Sequence, residues 1–222
     1  MVISHMKKFD IKIPEDLVVF ISGVPGVGKT TISYELLKAF PQFRIIEETD
    51  LIREVLRGYN DYIKNEFGEV AQPLFDKIEI YDHMKFLSFD EAKKQCQIMK
   101  NSFEKIVARQ QRKGIPSIVN GVHIIPEILD GLAKNRNIIY INLFITNEHD
   151  IYNRLKERNP DKYSKNYISL IYKTNIDLYL STLKLADKAG CIFNSIDVTA
   201  LNVLETLNEV VECIIRRIED AH

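Results

Sequence analysis

Eight consecutive residues, Gly23-Val24-Pro25-Gly26-Val27-Gly28-Lys29-Thr30, concentrate more chemical capacity than any other stretch of this 222-residue chain. They follow the spacing GxxxxGK[ST], and Thr31 comes next. Glycines there let backbone N–H groups turn inward and approach an anion closely. A helix opening at Lys29 adds the partial positive charge of its N-terminus. In such a loop the lysine reaches the β- and γ-phosphates of a nucleoside triphosphate and the hydroxyl ligates Mg²⁺. Gly23, Pro25, Gly26, Val27, Gly28, Lys29, Thr30 and Thr31 are therefore the expected nucleotide-binding residues. A Gly-rich turn matching by chance would need the same strand–loop–helix frame.

A second constellation is Glu47-Glu48-Thr49-Asp50-Leu51-Ile52-Arg53, at the carboxyl end of the expected second strand. Asp50 is placed to accept a proton from an attacking hydroxyl or to hold the metal through water. Arg53, one turn later on the same helical face, can fork onto a carboxylate or phosphate of an acceptor. The plainer reading is a helix-capping Asp in an i,i+3 ion pair. Asn120 ends an apolar run where many enzymes with this loop carry an acid acting on Mg²⁺. An amide there can hold a metal-bound water but adds no charge, which leaves more to Asp50. His123 is a candidate acceptor contact, with a structural histidine as the equal alternative. Between Arg154 and Lys173 six basic residues (Arg154, Lys156, Arg158, Lys162, Lys165 and Lys173) face two acidic ones. Arg154 and Arg158, spaced i,i+4, point one way from a helix and suit a lid that stabilises charge on a transferring group. Otherwise the segment is a solvated basic face.

These residues need elements to position them. Leu17 to Ile21 is a short apolar run, the pattern of a buried parallel strand. Lys29 to Phe40 then carries Ile32, Leu36, Leu37 and Phe40 on one face of a helix that Pro41 stops. Further strands are expected at Phe43 to Ile46, Pro116 to Val119, Ile138 to Ile145 and Cys191 to Phe193. A long helix runs from about Phe89 to Lys113-Gly114, a helical segment from Asp150 to Leu185 breaks near Pro160, and a last helix is striped from Leu201 to Ile218. Strands alternating with helices predict an α/β three-layer sandwich: a five-stranded, mainly parallel sheet, helices on both faces and a helical lid. The expected organisation is one domain over 1–222, with the phosphate loop at 23–31, a helical acceptor-side region over about 59–113 and a lid over about 150–175.

Composition sets the outer limits. A chain of this length buries roughly 70% of its unfolded surface, so no disulfide or metal is needed to hold it. Thirty basic residues against 31 acidic ones leave a net charge of −1, which gives no global attraction to nucleic acid or to anionic membrane. Three scattered cysteines, no apolar leader in Met1 to Lys8 and no 18-residue apolar run lead to the expectation of a cytoplasmic protein. Ser4-His5-Met6 reads as a cloning remnant.

Together GVPGVGKTT (23–31), TDLIREVL (49–56), Gln95, NGVHIIP (120–126) and, more weakly, NEHDIYNRLKERN (147–159) and IFN (192–194) resemble the 2-phosphoglycerate kinase family of P-loop kinases. The resemblance implies an ATP- and Mg²⁺-dependent kinase of a small anionic hydroxy acid. It puts Lys29 and Thr30 on ATP and Mg²⁺, Asp50 and Arg53 on the phosphoacceptor, and His123 with Arg154 and Arg158 around the closed site. Family members usually have Glu where this chain has Asn120. The Asp-x-x-Arg pair also resembles polynucleotide 5′-kinases and zeta-type toxins, so a nucleic-acid end or nucleotide sugar is the alternative acceptor, against which near-neutral charge and the absence of Trp argue. A nucleotide-binding regulatory ATPase without an acceptor is the third reading.

Overall fold

In a computed structural model of the protein, residues 12–68, 88–134, 137–189 and 192–220 are described. The expectations for residues 1–8, for Cys191 and for residues 69–87 of the acceptor-side region lie outside them.

Five strands form one sheet: β1 (Val18–Ser22), β2 (Ile45–Glu48), β3 (Ser117–Gly121), β4 (Ile138–Phe144) and β5 (Phe193–Asp197). Their order is β2-β3-β1-β4-β5 and every pairing is parallel. The helices are α1 (Lys29–Ala39), α2 (Thr49–Phe67), α3 (Phe89–Arg112), the short α4 (Pro126–Leu129), α5 (Glu148–Arg158), α6 (Lys165–Ala189) and α7 (Val203–Asp220). All residues of β1, β3 and β4 are buried, which is why these strands are apolar runs covered on both faces. Alternation divides them between two cores. Val19, Ile21, Ile139 and Ile141 pack toward α1 and α7, whereas Val18, Phe20, Ile138 and Tyr140 pack toward α3, α4 and α6. On the second face Phe20, Tyr140 and Phe193 stack in a row across β1, β4 and β5, with centroids 4.8 and 4.9 Å apart. The result is the expected three-layer sandwich.

Two strands sit later than the apolar runs suggest. Phe43 belongs to a turn, edge-on to Phe40 and bonded to its carbonyl, so β2 starts at Ile45. At the sheet edge β5 buries only Phe193 and Ile196, with Asn194 and Ser195 partly exposed and Asp197 exposed, and such a strand carries no long apolar signal. Helix starts follow local side-chain chemistry. Ser88 accepts from the Glu91 amide at 3.2 Å and Asn147 from the His149 amide at 3.0 Å. The break near Pro160 separates α5 from α6. Among the described residues no helix is long and apolar enough to cross a membrane, and Cys96 and Cys213 are buried free thiols.

Candidate active site

Parallel strands bring their carboxyl ends to one edge, and there the loop 23–28, the start of α2, the loop after β3 and the α5–α6 connection enclose a cleft of about 310 Å³. Pro25, Lys29 and Thr30 line it from the phosphate loop, Glu48, Thr49, Asp50 and Arg53 from the β2–α2 junction, Asn120 to Val122 from the end of β3, and Arg158, Lys162, Tyr163 and Tyr167 from the end of α5, the connection and the start of α6. Gly26 (φ 93°) and Gly28 (φ 94°) take left-handed conformations in the loop, a backbone that leads directly into α1 at Lys29. Lys29 Nζ donates to the Val24 carbonyl at 2.9 Å and so lies folded over the loop.

The β2–α2 junction is fixed by a close approach. Gly121 ends β3 beneath Thr49, which is fully buried at the first position of α2. A Cβ on Gly121 would lie 2.7 Å from Thr49 Cβ and 3.0 Å from its Cγ2. Only glycine lets the start of α2 sit this near β3, and that start carries Asp50 and Arg53. Arg53 is 4% exposed. Its Nη1 is 3.5 Å from Asp50 Oδ1, and its Nε and Nη2 donate to Glu54 Oε1 at 3.1 and 2.9 Å. The i,i+3 ion pair of the plainer reading thus exists, and both of its members also face the cleft.

Burial dominates the electrostatics. Desolvation lowers the Lys29 ammonium to about 8, an effect that Asp50 opposes and Arg158 reinforces. His123 is pushed down to about 4, chiefly by burial, with Asp50 raising it and Arg53 and Lys29 lowering it. It is therefore a neutral imidazole near pH 7. Hydrogen bonds from Arg53 and Arg57 hold the Glu54 carboxyl below its ordinary range.

The candidate residues separate by position. Lys29, Thr30, Asp50, Arg53 and Arg158 converge on the cleft. His123 does not line it: at 1% exposure it sits behind, with Nδ1 3.0 Å from Thr49 Oγ1 and 3.7 Å from Asp50 Oδ1. Arg154 parts from Arg158 despite their common helical face, because its Nη2 donates to the carbonyls of Val198 (2.7 Å) and Thr199 (3.4 Å) after β5. Asn120 is 3% exposed and gives its amide N–H to Ser33 Oγ at 3.0 Å, while the Ser33 hydroxyl donates to the Lys29 carbonyl at 2.9 Å. Among the described residues no group of three or more His, Cys, Asp or Glu is arranged to hold a metal. The donors beside Lys29 are instead the Thr30 hydroxyl and the Glu48 and Asp50 carboxylates, hard oxygen ligands that suit Mg²⁺ kept partly hydrated by phosphates and water.

Sequence reasoning missed Ser33, Tyr163 and Tyr167, and it gave no role to Glu48 and Thr49 although both lie in the motif around Asp50. The two tyrosines stack at 5.7 Å, and Lys162 lies 5.4 Å over the Tyr163 ring. Their i,i+4 spacing just after Pro160 was the available signal. Nothing local announces Thr49, whose contact at Gly121 is 72 positions away.

No protein-family model matches the chain. A 2-phosphoglycerate kinase of Methanocaldococcus jannaschii is 28% identical over 182 residues, covering 76% of this chain and 55% of that protein. A uridine kinase of Borreliella burgdorferi is 27% identical over 172 residues, covering 75% and 76%. A solved gluconokinase of Sinorhizobium meliloti superposes with a TM-score of 0.55 at 16% identity, covering 95% of this chain and 97% of its own. The chain spans about half the length of the curated 2-phosphoglycerate kinases it matches. It has the fold of P-loop kinases, and in sequence it resembles the 2-phosphoglycerate kinases.

Proposed function

We propose that this chain is an ATP-dependent phosphotransferase that moves the γ-phosphate of ATP to a hydroxyl of a small anionic metabolite of the 2-phosphoglycerate type. The observation that carries the reading is one cleft shared by the Lys29–Thr30 end of the phosphate loop and the Asp50–Arg53 pair. A bare nucleotide switch has no use for that pair. Loop amides of residues 23–31 and Lys29 bind the β- and γ-phosphates. Asp50 orients the acceptor hydroxyl and takes its proton, and Arg53 receives the acceptor's anionic group. Arg158 covers the transferring group and the lid over about 150–175 excludes water, which keeps ATP from hydrolysis. Thr30 and a neighbouring carboxylate would hold Mg²⁺, which would neutralise phosphate charge. Arg154 acts by fastening α5 to the loop after β5, and His123 acts by holding Thr49. The domain plan is one kinase unit, with the acceptor wall built from the helical region after α2 begins.

The test is transfer of labelled γ-phosphate from ATP to a panel of 2-phosphoglycerate, related hydroxy acids, uridine and 5′-hydroxyl oligonucleotides. Labelled hydroxy acid is the expected product. Label on uridine or oligonucleotide alone moves the acceptor to the other class, and ATP consumption without any labelled acceptor favours a regulatory ATPase.

A further inference from the structure

Asn120 leaves the end of β3 without a carboxylate, and the structure shows why an acid suits that position poorly. The one hydroxyl proton of Ser33 is committed to the Lys29 carbonyl, so its oxygen offers residue 120 only lone pairs. An amide N–H satisfies them; a carboxylate would set acceptor against acceptor. Register supplies the missing charge one strand away. Glu48 is the parallel partner of Asn120, and partners in register share a face of the sheet. Asn120 shows which face: its amide meets Ser33 on α1, the helix from which Lys29 and Thr30 project. Glu47, one residue earlier, points the opposite way and accepts from Gln110 on α3 at 3.0 Å. Of the two carboxylates in the cleft, Asp50 is paired with Arg53 at 3.5 Å, whereas the Glu48 carboxylate makes no hydrogen bond or ion pair among the described residues.

We propose that Glu48 is the carboxylate that holds the divalent cation accompanying the nucleotide, displaced from the end of β3 to the end of β2. The assignment rests on the nucleotide-binding reading of the loop and divides the two acids: Glu48 serves the metal and Asp50 the acceptor.

Calorimetric titration of ADP, in Mg²⁺ and in EDTA, separates the alternatives without catalysis. The wild-type chain is expected to bind ADP more tightly in Mg²⁺. Glu48→Gln is expected to lose about tenfold of that tightening, a typical effect of removing a group that tunes a metal site, while its affinity in EDTA is kept. Asp50→Asn is expected to retain the tightening. Glu48→Gln combined with Ser33→Ala and Asn120→Asp moves the acid back to β3 and should recover it. Undiminished tightening in Glu48→Gln, its loss in Asp50→Asn, or its absence in the wild type overturns the assignment to Glu48. A wild type that binds no ADP in either condition overturns the nucleotide reading as well.

Discussion

Replacing Gly121 by Ala tests whether the β3–α2 approach sets the site. The added Cβ would meet Thr49 Cβ at 2.7 Å, where ordinary contact begins at 3.4 Å, and Thr49 Oγ1 lies nearer still. Thr49 is fully buried, so it cannot rotate into solvent; the first turn of α2 has to retreat by about 0.7 Å or more. The retreat carries Asp50 and Arg53, because both sit within one turn of Thr49. Overpacking of this kind costs about 1–3 kcal/mol, and the glycine's φ of 153° adds strain for a side chain. Moving reacting groups by about 1 Å costs on the order of 100-fold in turnover. Gly121→Ala should therefore lower the urea midpoint, reduce kcat about 100-fold and leave ADP affinity in EDTA within about twofold, since the phosphate loop is untouched. Removing the obstructing side chain in Gly121→Ala/Thr49→Gly should recover part of kcat. Wild-type turnover in Gly121→Ala would refute the claim that this contact positions the acceptor side.

Lys29→Ala should abolish nucleotide binding and turnover, whereas Lys29→Met should stabilise the empty protein. The folded ammonium titrates at about 8 against 10.5 in the unfolded chain. The unfolded state thus holds the extra proton between those values, the penalty is complete below pH 8, and stability rises by about 3 kcal/mol as pH climbs through the window. Urea unfolding across pH 7–10.5 should show that rise in the wild type and its loss in Lys29→Met. Asn120→Asp should cost about 1–3 kcal/mol in the same assay, and Ser33→Ala in the same chain should return most of it. Arg158→Ala should lower kcat by about 10²-fold with little change in stability. Arg154→Ala should instead cost about 1–2 kcal/mol in urea unfolding, because it frees two carbonyls after β5.

The phosphate loop was legible because its function constrains neighbouring positions in one strand–loop–helix unit. The three central strands were legible because burial on both faces leaves unbroken apolar runs. The two edge strands were displaced for the converse reason: β2 and β5 are half-exposed, and Phe43 supplies apolar weight to a turn. Asp50 and Arg53 were found through their spacing, but the burial of His123 was not, since a histidine two residues past a strand can face either way. Arg154 and Arg158 show the limit of helical spacing. It aims two side chains to one side without saying that carbonyls at Val198 and Thr199 will intercept the first. Glu48 was visible in the motif but had no readable role, because its meaning depends on which residue of β3 it pairs with, a fact of sheet order.

The tether from Arg154 to the strand-five loop also bears on how the enclosure opens. With α5 fastened at its middle to the main body, traffic in and out of the chamber falls to the six-residue stretch 159–164, which carries Lys162 and Tyr163. A six-residue connection between two helix ends allows a short excursion rather than the swing of a whole helix, limited by the reach of its own backbone.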